Sequence, residues 1–263
     1  MTQKDFAAET LFSVKGKTAL VTGGSRGIGL MIAEGLVANG ARVYIASRKA
    51  GQCAAAAERL GKQGFCQALP ADLSCLEGVG KLAQAYAGKE QGLDILVNNA
   101  GVTWGAPLAA FPEKGWDKVL DVNLKAVFFL TQALLPYLEQ AAKPDDPARI
   151  VNIGSIDGLG VSLFEAYSYG AAKAGLHHLT RMLAKRLADR PITVNAIAPG
   201  PFRSDMLETV MDSHGETMRG MVPLGRFGDA ADIAAAVIYL ASRAGNYVTG
   251  ATLVVDGGAL TTR

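Results

Sequence analysis

The sequence lacks blocks of like charge. Its 26 lysines and arginines are interspersed with 24 aspartates and glutamates, for a formal net charge of +2, and neither sign runs for five or six residues. Nucleic acid and a membrane surface are therefore poor candidates for the main partner, because both require a concentrated basic field. Cysteine is scarce: Cys53, Cys66 and Cys75 show no CxxC spacing and cannot all pair. That excludes a full disulfide framework and reads as buried or incidental thiols in a reducing compartment. No apolar run reaches the ~18 residues of a membrane span. The opening MTQKDFAAETLFSVKGK mixes acid and base without a signal-peptide core. The expectation is a soluble, cytoplasmic protein without membrane attachment. Metal ligands are also missing: His177, His178 and His214 have no companions at zinc-site spacing. They read as surface or satisfied core histidines, and no metal is expected.

What is abundant is glycine, 31 of 263 residues, alongside 49% apolar residues and an ordinary 10 prolines. The balance fits a globular core and neither collagen nor a disordered chain. Short β-branched runs alternate with longer helical patterns, the mark of βαβ units and a parallel sheet. Strands are expected at 18–22, 42–46, 66–70, 95–98, 150–154, 193–197 and 252–255, with helices near 27–39, 50–63, 76–88, 115–142, 166–189 and 229–241. No linker or repeat interrupts this rhythm, so residues 1–263 are read as one domain, with 1–15 as an N-terminal extension. The stretch 199–228 holds four of the seven methionines, Met206, Met211, Met218 and Met221. It suits either a loosely packed surface helix or a lid over the substrate.

After the first strand comes Thr22-Gly23-Gly24-Ser25-Arg26-Gly27-Ile28-Gly29, opening into a helix. Glycines let the backbone approach a pyrophosphate, and the helix N-terminus offers free N–H groups and partial positive charge. The second strand ends in Ser47-Arg48-Lys49 with no acid. A carboxylate there would favour a ribose hydroxyl, whereas arginine can hold a 2′-phosphate through paired N–H bonds. With Arg26 as a second cation, the reading is NADP(H) over NAD(H). Further on, Tyr169 and Lys173 are four residues apart and share a helix face, and Ser155 follows the fifth strand. An ammonium close to a phenol favours the phenolate and lowers its pKa, which would make the tyrosine a usable general acid.

These motifs occur together and in order, and with them the chain resembles the short-chain dehydrogenase/reductase family from Lys17 to Gly258. The matching residues are Thr22 to Gly29, Asp72-Leu73, Asn98-Asn99-Ala100-Gly101, Asn123, Ser155, Tyr169 with Lys173, and Pro199-Gly200. The resemblance implies a single Rossmann-type, doubly wound α/β domain with a seven-stranded parallel sheet. It also implies a ketone–alcohol oxidoreductase in which Tyr169 gives its proton to the substrate carbonyl. By the same carry-over Lys173 binds the nicotinamide ribose and depresses the tyrosine pKa, Ser155 orients the carbonyl, and Asn123 holds a relay water. Gly23, Ser25, Arg26, Gly27, Ile28 and Gly29 would contact the pyrophosphate side of the cofactor. Ser47, Arg48 and Lys49 would take its 2′-phosphate. Asp72 and Leu73 would flank the adenine; Asn99, Ala100 and Gly101 would line the cleft. Pro199, Gly200, Phe202 and Ser204 would border the nicotinamide, Ser204 standing where the family commonly has threonine.

Within the family the chain is most similar to β-ketoacyl reductases, through Asn195 to Gly200, Gly225 to Gly228 and Val255 to Gly258. The first expectation is therefore an NADPH-dependent 3-oxoacyl thioester reductase of fatty-acid metabolism. Another small ketone, alcohol or sugar is the alternative substrate, because these motifs are scaffold more than pocket. Acyl carrier protein is a candidate partner. The docking face for it is half present, since Lys185 and Arg186 are basic while Lys143-Pro144-Asp145-Asp146-Pro147 is largely acidic, which keeps a coenzyme A thioester as an alternative. Phe202, Met206, Leu207, Val210 and Met211 favour a lipophilic substrate. A catalytically idle cofactor sensor is the reading from another class, and the intact Ser155, Tyr169 and Lys173 speak against it. The long helices 115–142 and 166–189 match those that pair between subunits in the family, so a homotetramer is expected, with a dimer as runner-up.

Overall fold

Every expected strand forms, and all seven lie parallel in one sheet. The computed structural model describes residues 6–203 and 215–260. After a short helix α1 (Ala8–Leu11), the elements alternate as β1 (Thr18–Thr22), α2 (Gly27–Ala38), β2 (Arg42–Ala46), α3 (Ala50–Gly61), β3 (Cys66–Ala68), α4 (Leu76–Ala87) and β4 (Ile95–Asn98). Then follow α5 (Glu113–Leu120), α6 (Ala126–Ala141), β5 (Ala148–Ile153), α7 (Tyr167–Leu187), β6 (Ile192–Pro199), helical residues 215–220 as α8, α9 (Ala230–Ala241) and β7 (Thr252–Val255). The strand order is β3-β2-β1-β4-β5-β6-β7. The order reverses between β1 and β4, and in open α/β sheets that is where a crevice opens beyond the strand C-termini.

The strands read as unbroken apolar runs because helices cover both faces. Ala19, Val21, Val43 and Ile45 point to the side packed by α2, α3 and α9. Their neighbours Leu20 and Tyr44, with Leu96, Ile150 and Val194, point to the other side, against α4, α6 and α7. That strict alternation is the period of a pleated strand. β5 and β6 begin earlier than the apolar runs suggest because Ala148 pairs with Ile192, extending the ladder past them.

The helix expected at 115–142 is not uniform. Asp121–Lys125 forms a π-turn between α5 and α6. Taken together, Glu113–Ala141 is long and apolar enough to cross a membrane by length and composition. In the fold, α6 turns Ala126, Leu130, Leu134 and Leu138 onto the sheet. At the opposite edge of β5, buried Arg149 binds Asp146 at 2.7 Å, and Asp146 also takes Lys17 at 2.8 Å. Of the cysteines, Cys53 is buried, Cys66 half-buried and Cys75 exposed.

Candidate active site

The glycine-rich turn leaves β1 with φ of 68° at Gly23 and enters α2 with φ of 52° at Gly27, both left-handed values that favour glycine. Space is as restrictive as torsion. A Cβ on Gly24 would lie 2.7 Å from Ile45, one on Gly23 2.7 Å from the Asn99 amide, and one on Gly29 would run into the Gly23 carbonyl. The turn is anchored by Gly23 and Gly24 N–H groups donating to the Ala46 carbonyl at 2.7 and 3.2 Å. Thr22 ties it to the next loop. Its hydroxyl accepts the Asn99 and Ala100 N–H groups, both at 3.0 Å, while Asn99 Nδ2 donates to the Thr22 carbonyl at 2.8 Å.

Around this turn Ser25 is half-buried and Arg26 exposed, and Ile28 packs its side chain into the core. At the end of β2, Ser47 is half-buried, and Arg48 and Lys49 are exposed. Asp72 is exposed; its carboxyl lies below the usual range, first because the Ser74 N–H donates to it, with Arg48 as a nearby cation. Leu73 is in the core, so its side chain is not free to meet a ligand. Free N–H groups, a backbone cradle without Cβ atoms and two cations where NAD-type sites carry an acid together fit NADP(H).

The acid–base set comes together at the C-terminal ends of β4 and β5. Ser155 is buried and caps a 3₁₀ turn, its hydroxyl accepting the Asp157 N–H at 3.1 Å. Tyr169, half-buried on the first turn of α7, shares a hydrogen bond with Ser155. Lys173, only 4% exposed, donates to the Ile153 carbonyl at 2.7 Å. Its Nζ lies 5.7 Å from the centre of the Tyr169 ring. A Cβ on Gly101 would be 3.5 Å from Asn123 Oδ1 and 3.7 Å from Lys173 Nζ, so these three residues are close neighbours.

Several expectations need correction. Burial pushes the Tyr169 phenol up to about 12, the Ser155 bond opposes it, and Asp157 adds to the rise. With the Lys173 ammonium donating to the Ile153 carbonyl, burial dominates and the resting phenol lies above its ordinary value rather than below it. Desolvation in turn lowers Lys173 to about 8. Asn123 is fully buried, and its side chain is consumed by Val102, accepting its N–H and donating to its carbonyl, both at 2.9 Å. A water relay through Asn123 would have to use its main chain. Phe202 does not offer an apolar wall to a ligand: its ring is 3% exposed and packs over Gly228. Pro199 is buried at the end of β6, and Gly200 sits against Asp256, where a Cβ would come within 2.6 Å. Ser204, Met206, Leu207, Val210, Met211 and His214 lie outside the described residues.

Sequence reasoning named Thr22 and Asn98 within motifs without a structural role, and missed Asn152 and Thr180. Besides Thr22, a buried ladder runs from Asn98 to Asn152 and on to Thr180, each step at 2.9 Å, joining β4, β5 and α7. Asparagines inside otherwise apolar strands are the signal that could have found it. Glu165 was also missed; its carboxylate accepts the Tyr167 hydroxyl at 2.9 Å and the Leu108 N–H at 3.3 Å, joining two loops beside the site. Of the histidines, His177 is in the core and His178 is exposed. Among the described residues no cluster of metal-ligating side chains occurs.

Comparison with known proteins extends these observations. Residues 23–260 match the family model described as enoyl-(acyl carrier protein) reductase. The rhamnolipids biosynthesis 3-oxoacyl-[acyl-carrier-protein] reductase of Pseudomonas aeruginosa is 49% identical over 249 residues, 94% of this chain and 97% of that protein. The Escherichia coli 3-oxoacyl-[acyl-carrier-protein] reductase FabG is 40% identical over 245 residues, 93% of this chain and 97% of that protein. Among solved structures, the Pseudomonas aeruginosa RhlG/NADP active-site complex superposes with a TM-score of 0.92 at 49% identity, covering 95% of this chain and 98% of that one.

Proposed function

The chain belongs to the short-chain dehydrogenase/reductase family, and from that premise we propose that it is an NADPH-dependent reductase of 3-oxoacyl thioesters. The observation that carries this reading is the grouping of Ser155, Tyr169 and Lys173 beside Gly101, next to a glycine cradle flanked by Arg48. The cofactor, when bound, supplies the hydride that reduces the carbonyl carbon. Arg48 and Lys49, with Arg26, would hold its 2′-phosphate, and the N–H groups opening α2 would meet its pyrophosphate.

Everything else falls to side chains of this chain. Ser155 donates a hydrogen bond to the substrate carbonyl oxygen and fixes its direction. Tyr169, with its pKa near 12, is a neutral phenol at pH 7 and so carries the proton that the oxygen must receive. As the oxygen gains charge its basicity rises, and the phenol gives up that proton. The phenolate left behind is stabilised by the Lys173 ammonium, which is close and poorly solvated. Asn123 holds the Val102 backbone next to Gly101 through its two side-chain bonds.

The acyl carrier is the finer part of the proposal. Asp146, counted as repelling an acidic partner, is neutralised by Lys17 and Arg149, while Lys185 and Arg186 are exposed on α7. That balance supports a carrier-protein thioester. An apolar groove between α6 and α7, with Leu124, Phe128, Leu179 and Met182 on its walls, supports assembly into a homotetramer through these helices. The test is a spectrophotometric screen with NADPH against acetoacetyl-CoA, a β-ketoacyl carrier-protein thioester, small diketones and sugar ketones. Turnover of a thioester is expected. Activity on a free diketone or a sugar ketone with neither thioester reduced would overturn the substrate assignment.

A further inference from the structure

One buried titratable side chain lies against the acid–base set without belonging to it. His177 is 2% exposed and stands one helical turn beyond Lys173 on α7. Its Nε2 is 3.1 Å from the Ser155 carbonyl and its Nδ1 is 3.3 Å from the Thr252 hydroxyl on β7. The Ser155 N–H lies 3.5 Å from the same Nε2, the longer and weaker of the two contacts. Lys173 and His177 therefore act as a pair. Spaced four apart on one helix face, they reach the carbonyls of Ile153 and Ser155, two residues apart where β5 gives way to the 3₁₀ turn.

Glycine on both sides makes room for the ring. A Cβ on Gly154 would collide with the imidazole, and one on Gly158 would come within 2.9 Å of its Cδ2. The stretch Gly154-Ser155-Ile156-Asp157-Gly158 thus meets the imidazole at both ends, and Ser155 lies within it.

We propose that His177 is a positioning residue for Ser155: a neutral imidazole that donates Nε2–H to the Ser155 carbonyl and accepts the Thr252 hydroxyl at Nδ1. The bond fixes the backbone from which the Ser155 side chain projects, and through it the direction of the hydroxyl toward Tyr169 and the substrate. A neutral ring is what the surroundings favour. Burial first, then the Lys173 and Arg181 charges, hold His177 below its usual value, opposed by the bond with Ser155. The Ser155 carbonyl already accepts the Gly158 N–H at 3.1 Å, closing the 3₁₀ turn, and the imidazole takes its second lone pair, so the carbonyl is held from two sides.

The inference rests on the reductase reading for its kinetic arm and is independent of it for its spectroscopic one. The experiment combines both on the full chain. Two-bond ¹H–¹⁵N correlation on the unmodified protein at pH 7 is expected to show His177 neutral and protonated at Nε2. In steady-state assays His177→Leu is expected to lower kcat by roughly tenfold to a hundredfold, with the NADPH dissociation constant from fluorescence unchanged within about twofold. His177→Gln, whose amide N–H can reach the same carbonyl, is expected to recover most of the rate. In a Ser155→Ala background His177→Leu should cost little more, because residues acting through one another do not add. An Nδ1-protonated ring, an unaltered kcat in His177→Leu, or the same fold loss with and without Ser155 would each overturn the proposal. If the wild-type protein reduced no ketone, the reductase reading would fail, and the tautomer would decide this inference alone.

Discussion

Lys173 carries a charge with almost no water around it. Its ordinary value of 10.5 falls to about 8 through desolvation. Between those limits the unfolded lysine binds a proton that the folded one has lost. Stability from this group therefore rises with pH between about 8 and 10.5 and is lost as pH falls through 8. Tyr169 runs the other way: its folded value near 12, raised from 10, holds a proton the unfolded chain loses. Its contribution is present below about pH 10 and lost as pH rises toward 12. Urea unfolding of the wild type and Lys173→Met should show the wild type gaining relative stability between pH 8 and 10, by up to about 3 kcal/mol. A constant difference over that window would refute the buried ammonium. Sequence spacing put Tyr169 and Lys173 on one helix face, and the structure has the ammonium 5.7 Å from the ring centre. Spacing could not reveal that Lys173 would be spent on the Ile153 carbonyl, since that carbonyl arrives from a strand 20 residues earlier.

The βα turns are the elements that make the cofactor cleft, and each can be tested alone. Gly29 has no room for a methyl between the Gly23 carbonyl and the Asn99 amide. Gly29→Ala is expected to cost about 1–3 kcal/mol of stability, the usual toll of overpacking, and to weaken NADPH binding. Thermal melts with and without NADPH measure both effects. At the turn after β2, Arg48→Ala is expected to weaken NADPH binding by roughly tenfold to a hundredfold, the worth of a charged hydrogen bond, with NADH binding little changed. Equal losses for the two would sink the 2′-phosphate assignment. Strand and helix identities were readable because apolar periodicity reports burial directly. The π-turn at Asp121–Lys125 was not, since one extra residue per turn barely disturbs that period. Its location is understandable only once Asn123 is seen gripping the Val102 backbone. Phe202 was misread for a related reason. An apolar residue in an irregular stretch looks the same in sequence whether it lines a pocket or plugs the core over Gly228.

For the molecule as a whole, the reversal of strand order between β1 and β4 puts the glycine turn of β1 beside the Asn99–Gly101 loop of β4, and β5 adds Ser155 next to them. The outer faces of α6 and α7 meet other copies of the chain in the proposed tetramer. Phe128, 38% exposed, and Met182, 55% exposed, are large apolar side chains on those faces. Phe128→Glu is expected to reduce the mass seen by light scattering to that of a dimer or monomer; an unchanged mass would remove this groove from the interface. The central claim, that Tyr169 supplies the proton in an NADPH-driven ketone reduction, is tested most directly by assaying wild type and Tyr169→Phe side by side on acetoacetyl-CoA while NADPH affinity is followed by fluorescence. The phenylalanine variant should bind NADPH within about twofold of wild type while kcat falls by roughly a hundredfold to ten-thousandfold, the usual contribution of a general acid. A Tyr169→Phe enzyme that keeps the wild-type kcat would contradict it.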